Sequence, residues 1–89
     1  MRPSNNPDLI LALAIEVKVR RLELQMSQED LAGRIQLDRP YISLIEVGRK
    51  QPTLSVLHKI AMGLDLTLGE FMSRVEERYL KTQAGQAGV

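Results

Sequence analysis

Residues 27–52, SQEDLAGRIQLDRPYISLIEVGRKQP, constrain the fold more than any other part of the chain. Their order specifies two short helices joined by a tight turn and followed by a basic loop. Ser27 suits a helix cap, because its hydroxyl accepts a hydrogen bond from a first-turn backbone N–H. Glu29 and Asp30 follow, where the positive end of the helix dipole favours acids. Leu31, Ala32 and Ile35 fall on one helical face. Asp38 offers a second cap, with Arg39 and Pro40 in the first turn, where proline is tolerated. Leu37 before that cap and Ile42 within the helix have the spacing of a hydrophobic staple. Gly48 is suited to a left-handed stop. The two helices are therefore expected at about 28–35 and 39–47. Neither is long enough to be stable alone in water. Packing must pin the second one, and what it presents outward is the reason for having it.

The flanking segments read as further helices. Asn6-Pro7-Asp8 combines a cap, a proline in the first helical position and an acid, so a first helix is expected from about Pro7 to Gln25. Ile10, Leu13, Ala14, Val17, Arg21 and Leu24 follow one 3.6-residue stripe. Leu11, Ile15, Val19 and Leu22 form a second stripe beside it, which something must cover. Thr53 can cap a fourth helix carrying Leu54, Leu57, Ile60 and Ala61, with Gly63 as its expected stop. Thr67 and Glu70 have capping-box spacing. The fifth helix then carries Leu68, Phe71, Met72, Val75, Tyr79 and Leu80 at seam-like intervals and is expected to end near Thr82. There is no strand-like alternation, internal repeat or linker. The expected fold is all-α: one five-helix domain over 7–82, with loose segments at 1–6 and 83–89.

An 89-residue chain has room for one modest core, and 44% hydrophobic content favours packing over disorder. The aromatics are Tyr41, Phe71 and Tyr79, so that core is aliphatic. The absence of cysteine excludes disulfides and thiolate metal sites and suits a reducing cytoplasm. No apolar run is long enough to span a bilayer. The Leu9–Ile15 run flows into charged helix and is not expected to be a secretory leader. His58 is the single histidine and lies among leucines, so neither a metal site nor a general base is expected. The glycines form no phosphate-cradling loop. No catalytic residue, cofactor or small-molecule ligand is expected. The net charge of +1 does not itself point to nucleic acid. Placement is more informative: Arg20, Arg21, Arg39, Arg49 and Lys50 flank the two short helices, whereas Glu16, Asp65, Glu70, Glu76 and Glu77 lie outside them.

Ser27-Gln28-Glu29-Asp30-Leu31-Ala32, Tyr41-Ile42-Ser43, Glu46, Gly48-Arg49 and Pro52 together resemble the lambda-repressor-like (Cro-type, XRE family) helix-turn-helix regulators. The likeness continues through Ala61 and Leu64 to Phe71. The run Leu37–Ser43 is also similar to the controller proteins of restriction–modification systems. One position departs from the pattern: Gln36 stands in the turn where the family usually has glycine. A positive φ there costs a side chain about 1 kcal/mol relative to glycine.

The resemblance implies a sequence-specific regulator of double-stranded DNA, with the second short helix in the major groove. On that helix Ile42 and Ile45 face inward. Pro40, Ser43, Leu44 and Val47 face outward, with Arg39 and Tyr41 at the edges. Arg39 suits guanine O6 and N7, Ser43 donates or accepts, and Pro40 and Leu44 fit a thymine methyl. Gln28 is implied to bond a phosphate or brace the helix, and Arg49 and Lys50 to hold the backbone. Arg21 and Glu46 are implied to form an ion pair. Two-fold reading of DNA implies a homodimer, with Met72, Val75 and Tyr79 in its interface. On that reading, aspartates at Val75 and Tyr79 yield a folded monomer. The alternative is that the fifth helix folds back over the second stripe of the first. A rival function is a protein-interaction module or an antitoxin with the same fold, since Pro40, Leu44 and Val47 make an unusually apolar reading face.

Overall fold

A computed structural model describes residues 5–87, and the described residues form five helices and no strand. They are α1 (Pro7–Glu23), α2 (Gln28–Ile35), α3 (Arg39–Glu46), α4 (Leu54–Gly63) and α5 (Leu68–Ala87).

The helix starts follow local side-chain chemistry. Asn6 accepts from the Leu9 N–H at 3.1 Å. Ser27 and Asp30 form a reciprocal capping box, as do Thr67 and Glu70. The backbone N–H groups of Ser27 and Thr67 hold the Asp30 and Glu70 carboxyls below the ordinary carboxylate range. Thr53 accepts from the Val56 N–H. Asp38 departs from expectation: it occupies the cap position of α3, but its side chain makes no capping bond. A cap bonds the second or third N–H of its helix. Here Pro40 has none, and the Tyr41 N–H donates to the Asp38 carbonyl at 3.0 Å.

The helix ends share one device that the sequence shows at only one place. Gln25, Gln36, Gly48 and Asp65 all take left-handed backbone, with φ of 58, 58, 77 and 59°. After each, the next residue's N–H reaches back to a carbonyl five positions earlier, as in Met26 to Arg21 and Arg49 to Leu44. Hence α1 ends at Glu23 rather than at Gln25. Gly63 is the last residue of α4, not its left-handed stop; Asp65 is that stop. Gly63 is glycine for closeness, since a Cβ there would run into the side chains of Ile35 and Leu31 on α2. Replacing Gln36 with glycine is expected to stabilise the domain. Relief of about 1–2 kcal/mol of left-handed strain outweighs about 0.4–1 kcal/mol of added unfolded-state entropy. A rise of a few degrees in the thermal midpoint is the expected reading, and no rise would mean that the strain at Gln36 is no larger than the entropy glycine adds.

The core joins all five helices through Leu13, Val17, Leu31, Ile42, Ile45, Ile60, Leu64, Phe71 and Val75, each buried. α4 has no basic residue in its own last turn, so its end carbonyls take donors from elsewhere. Arg20 of α1 donates to the Leu64 carbonyl at 2.9 Å, and Arg34 of α2 to the Gly63 carbonyl at 3.1 Å.

The fifth helix folds back along the first. Arg74 and Arg78 both bond the buried carboxylate of Glu16, at 3.0 and 3.2 Å. Tyr79 accepts from Asn6, and Gln83 donates to Asp8. These last contacts carry α5 beyond Thr82 to Ala87, so 83–87 are helix and not a loose tail. Residues 1–4 and 88–89, which were expected to be loose, lie outside the described residues. Val75, expected in a dimer interface, is fully buried within its own chain. The second stripe of α1 is not what α5 covers: Leu11, Ile15 and Leu22 remain 50, 38 and 55% exposed.

Candidate nucleic-acid interface

α3 is eight residues long and is held from behind by two side chains, Ile42 and Ile45, that are essentially inaccessible. That anchoring fixes which residues face outward. Arg39, Pro40, Leu44 and Val47 are exposed, and Tyr41 and Ser43 are half-buried at the margins. Just beyond, the left-handed turn at Gly48 presents Arg49 and Lys50, both exposed. The Lys50 ammonium lies 5.8 Å from the centre of the Tyr41 ring, close enough for a cation–π contact.

The orientation of α3 is set by a chain of polar contacts. Arg21 of α1 grips Glu46 at the end of α3 with two bonds, Nε to Oε2 at 2.8 Å and Nη2 to Oε1 at 2.9 Å. Its remaining terminal nitrogen donates to the Met26 carbonyl at 2.7 Å. The hydrogen bond to Glu46 holds the Arg21 guanidinium above its ordinary pKa, against the opposing effect of burial. Glu46 Oε1 also accepts from Gln28 Nε2 at 3.1 Å. Gln28 uses its carbonyl oxygen to accept from Arg39 Nη1, also at 3.1 Å. Arg39 Nε lies 3.3 Å from Glu29 Oε1. The series Arg21, Glu46, Gln28, Arg39, Glu29 thus ties the end of α3 to α1, and its beginning to α2.

Of the basic residues that flank the short helices in sequence, two face elsewhere. Arg21 is buried, and Arg20 is engaged with the Leu64 carbonyl and Glu23. Arg39, Arg49 and Lys50 remain on the outer side. Met72 and Tyr79 are half-buried and border a shallow groove with Leu9 and Ser73, away from α3.

Sequence reasoning missed the contact between Glu29 and Arg39. Glu29 was accounted for by its place in the first turn of α2, and nothing local signals a partner ten positions ahead. For Glu16 the sequence shows only that it lies outside the two short helices, since its arginines are 58 and 62 residues away. Among the described residues no helix is long and apolar enough to cross a membrane, and no group of three or more His, Asp or Glu side chains is gathered to hold a metal.

A helix-turn-helix family model matches residues 17–71. The control protein C.MunI of a Mycoplasma species is 43% identical over 60 residues, covering 67% of this chain and 81% of that protein. The restriction–modification controller protein C.Esp1396I, crystallised as a tetramer with its natural 35 base-pair operator, superposes with a TM-score of 0.76. It is 36% identical, over 81% of this chain and 95% of that one. The controller protein C.AhdI from Aeromonas hydrophila superposes with a TM-score of 0.67 at 29% identity, over 70% of this chain and 94% of that one. With the family's pattern running from α1 into α5 and the fold shared with these controllers, the chain belongs to the helix-turn-helix family.

Proposed function

We propose that the chain is a sequence-specific transcription regulator that acts in the cytoplasm, has no catalytic activity and occupies operator DNA as a homodimer. The observation that carries this reading is the outward face of α3. It is held rigidly from behind, exposed in front, and flanked by Arg39, Arg49 and Lys50. The operator complex of C.Esp1396I, a relative of the same fold, supports it.

In this reading α3 enters the major groove while α2 crosses the sugar–phosphate backbone. Arg39 reads guanine O6 and N7, Ser43 hydrogen-bonds a base edge, and Pro40 and Leu44 contact thymine methyls. Tyr41 lies at the groove margin, where Lys50 sits over its ring. Gln28, Arg49 and Lys50 meet phosphates, which set affinity and register rather than sequence choice. A two-fold dimer doubles the number of bases read and spaces the half-sites about one turn, roughly 34 Å, apart. Its interface draws on the outer side of α5, at Met72 and Tyr79.

Arg39→Ala is expected to weaken binding by about 1–3 kcal/mol at one base pair and to relax preference there. Lys50→Ala is expected to weaken binding to all sequences alike. Affinities for a panel of single-base operator variants test both, and an unchanged preference profile for Arg39→Ala removes that residue from the reading set.

A second reading has one observation behind it: Pro40, Leu44 and Val47 are apolar and exposed together. Such a face also suits a protein partner, as in an antitoxin or an interaction module. Salt separates the two. On DNA, log K falls with log salt by about 0.9 for each phosphate neutralised. A flat response favours the protein partner.

A further inference from the structure

Arg39 has one hydrogen-bond acceptor and one ion-pair partner on α2. Gln28 Oε1 takes Nη1 at 3.1 Å, and Glu29 Oε1 lies 3.3 Å from Nε. Gln28 is itself fixed, because its amide nitrogen is bonded to Glu46. Glu29 is not fixed: its side chain is 73% exposed and that of Arg39 is 50% exposed. The side chain with the best chemistry for reading guanine is therefore paired, in the free protein, with a carboxylate that can let go.

We infer that Glu29 is a latch that withholds the Arg39 guanidinium from phosphates and gives it up only to guanine, so that operator binding has to break the pair. This rests on the DNA-binding reading above. An isolated phosphate oxygen offers Arg39 a mobile contact in water, similar in strength to the exposed carboxylate it already has. Exchanging one for the other gains little. A guanine edge offers two fixed acceptors matched to the guanidinium fork, and a bidentate contact of that kind discriminates by roughly tenfold or more. Only the second partner outcompetes Glu29. The latch thus stays closed on random sequence and opens on the operator, where the loss of the pair is subtracted from the guanine contact. The opposing charge also sits in the first turn of α2, the helix that crosses the backbone, so it adds to no phosphate contact.

Glu29→Gln keeps the length of the side chain and removes its charge. The probes are a duplex selected by the wild-type chain from a random pool, and duplex DNA of random sequence. The variant is expected to bind the selected duplex about two- to fivefold more tightly, because its Arg39 no longer has to leave a carboxylate. On the random duplex its log K against log salt should be steeper by about 0.9, one added phosphate. Affinity for the random duplex should rise by no more than that for the selected one, so the ratio of the two does not fall. The same change made in the Arg39→Ala background should have almost no effect on either duplex. Thermal melts of the variants establish that each is folded. An unchanged affinity for the selected duplex, or a fall in the ratio of the two, overturns the latch. An equal effect with and without Arg39 also overturns it, since Glu29 would then act on phosphates directly. If the wild-type chain binds no DNA in a salt-dependent way, the DNA-binding reading fails and the latch falls with it.

Discussion

Arg21→Met is expected to destabilise the domain by about 3–5 kcal/mol, most of what a domain of this size has to lose. The loss comes less from the removed attraction than from what is left behind. The Glu46 side chain is 3% exposed and accepts two bonds from Arg21. Without the guanidinium its charge stays in the apolar interior with one remaining donor, the Gln28 amide. The Met26 carbonyl loses its donor as well. Glu46→Leu alone is expected to be damaging for the converse reason, because it strands a buried cation. The double change Arg21→Met with Glu46→Leu should recover much of the loss, since apolar groups of similar volume often replace a buried pair at little cost. Denaturant unfolding of the two single variants and the double variant gives the coupling directly. Strict additivity would mean the two side chains do not depend on each other. The stabilised double variant should still bind DNA less selectively, because Gln28 then loses the acceptor that positions it beside Arg39.

The parts of this fold that are legible in the sequence are those decided within a few residues. Ser27 with Asp30, Thr67 with Glu70, and Asn6-Pro7 announce their helices because cap and partner lie three positions apart or fewer. The inward positions of α3 are legible because Ile42 and Ile45 are its large aliphatic residues at helical spacing. The stops at Gln25 and Asp65 are not legible, and the one at Gln36 shows only through the glycine usual there in the family it resembles. Each is made by backbone hydrogen bonds that any residue can supply, and glycine merely relieves the strain. Glu16 is illegible for another reason. A carboxylate on the inward side of a helix is explained only by its two arginines on α5, and no local pattern encodes a pairing across most of the chain. In the site, the outward residues of α3 follow from periodicity, whereas the state of Arg39 depends on where the turn at Gln36 directs α3 relative to Gln28 and Glu29.

Val75→Asp is expected to unfold the chain rather than to separate two copies of it. The seam on α5 shows which positions are apolar, but periodicity carries no information about whether the surface they pack against belongs to the same chain. The structure divides the seam. Phe71 and Val75 have no exposed surface and belong to the core with Leu13 and Val17 of α1. Met72 and Tyr79 are only half-buried, and Leu80 is 55% exposed. An aspartate at Val75 has no cation prepared for it in this apolar cluster. Arg74 and Arg78 are already bonded to Glu16. Burying an unpaired carboxylate costs several kcal/mol, and the lost packing of the valine adds to that, so the total exceeds about 4–5 kcal/mol. This is comparable to the whole stability of a small domain. Circular dichroism of Val75→Asp should show little helix and no cooperative melt at room temperature and above. Leu80→Asp on the exposed side of the same helix should keep a wild-type melt, because its carboxylate stays in water. If a second copy covers that side, Leu80→Asp should instead appear as a shift toward monomer in sedimentation. A folded, cooperatively melting Val75→Asp would mean that α5 does not close the core of its own chain and that Val75 faces a partner.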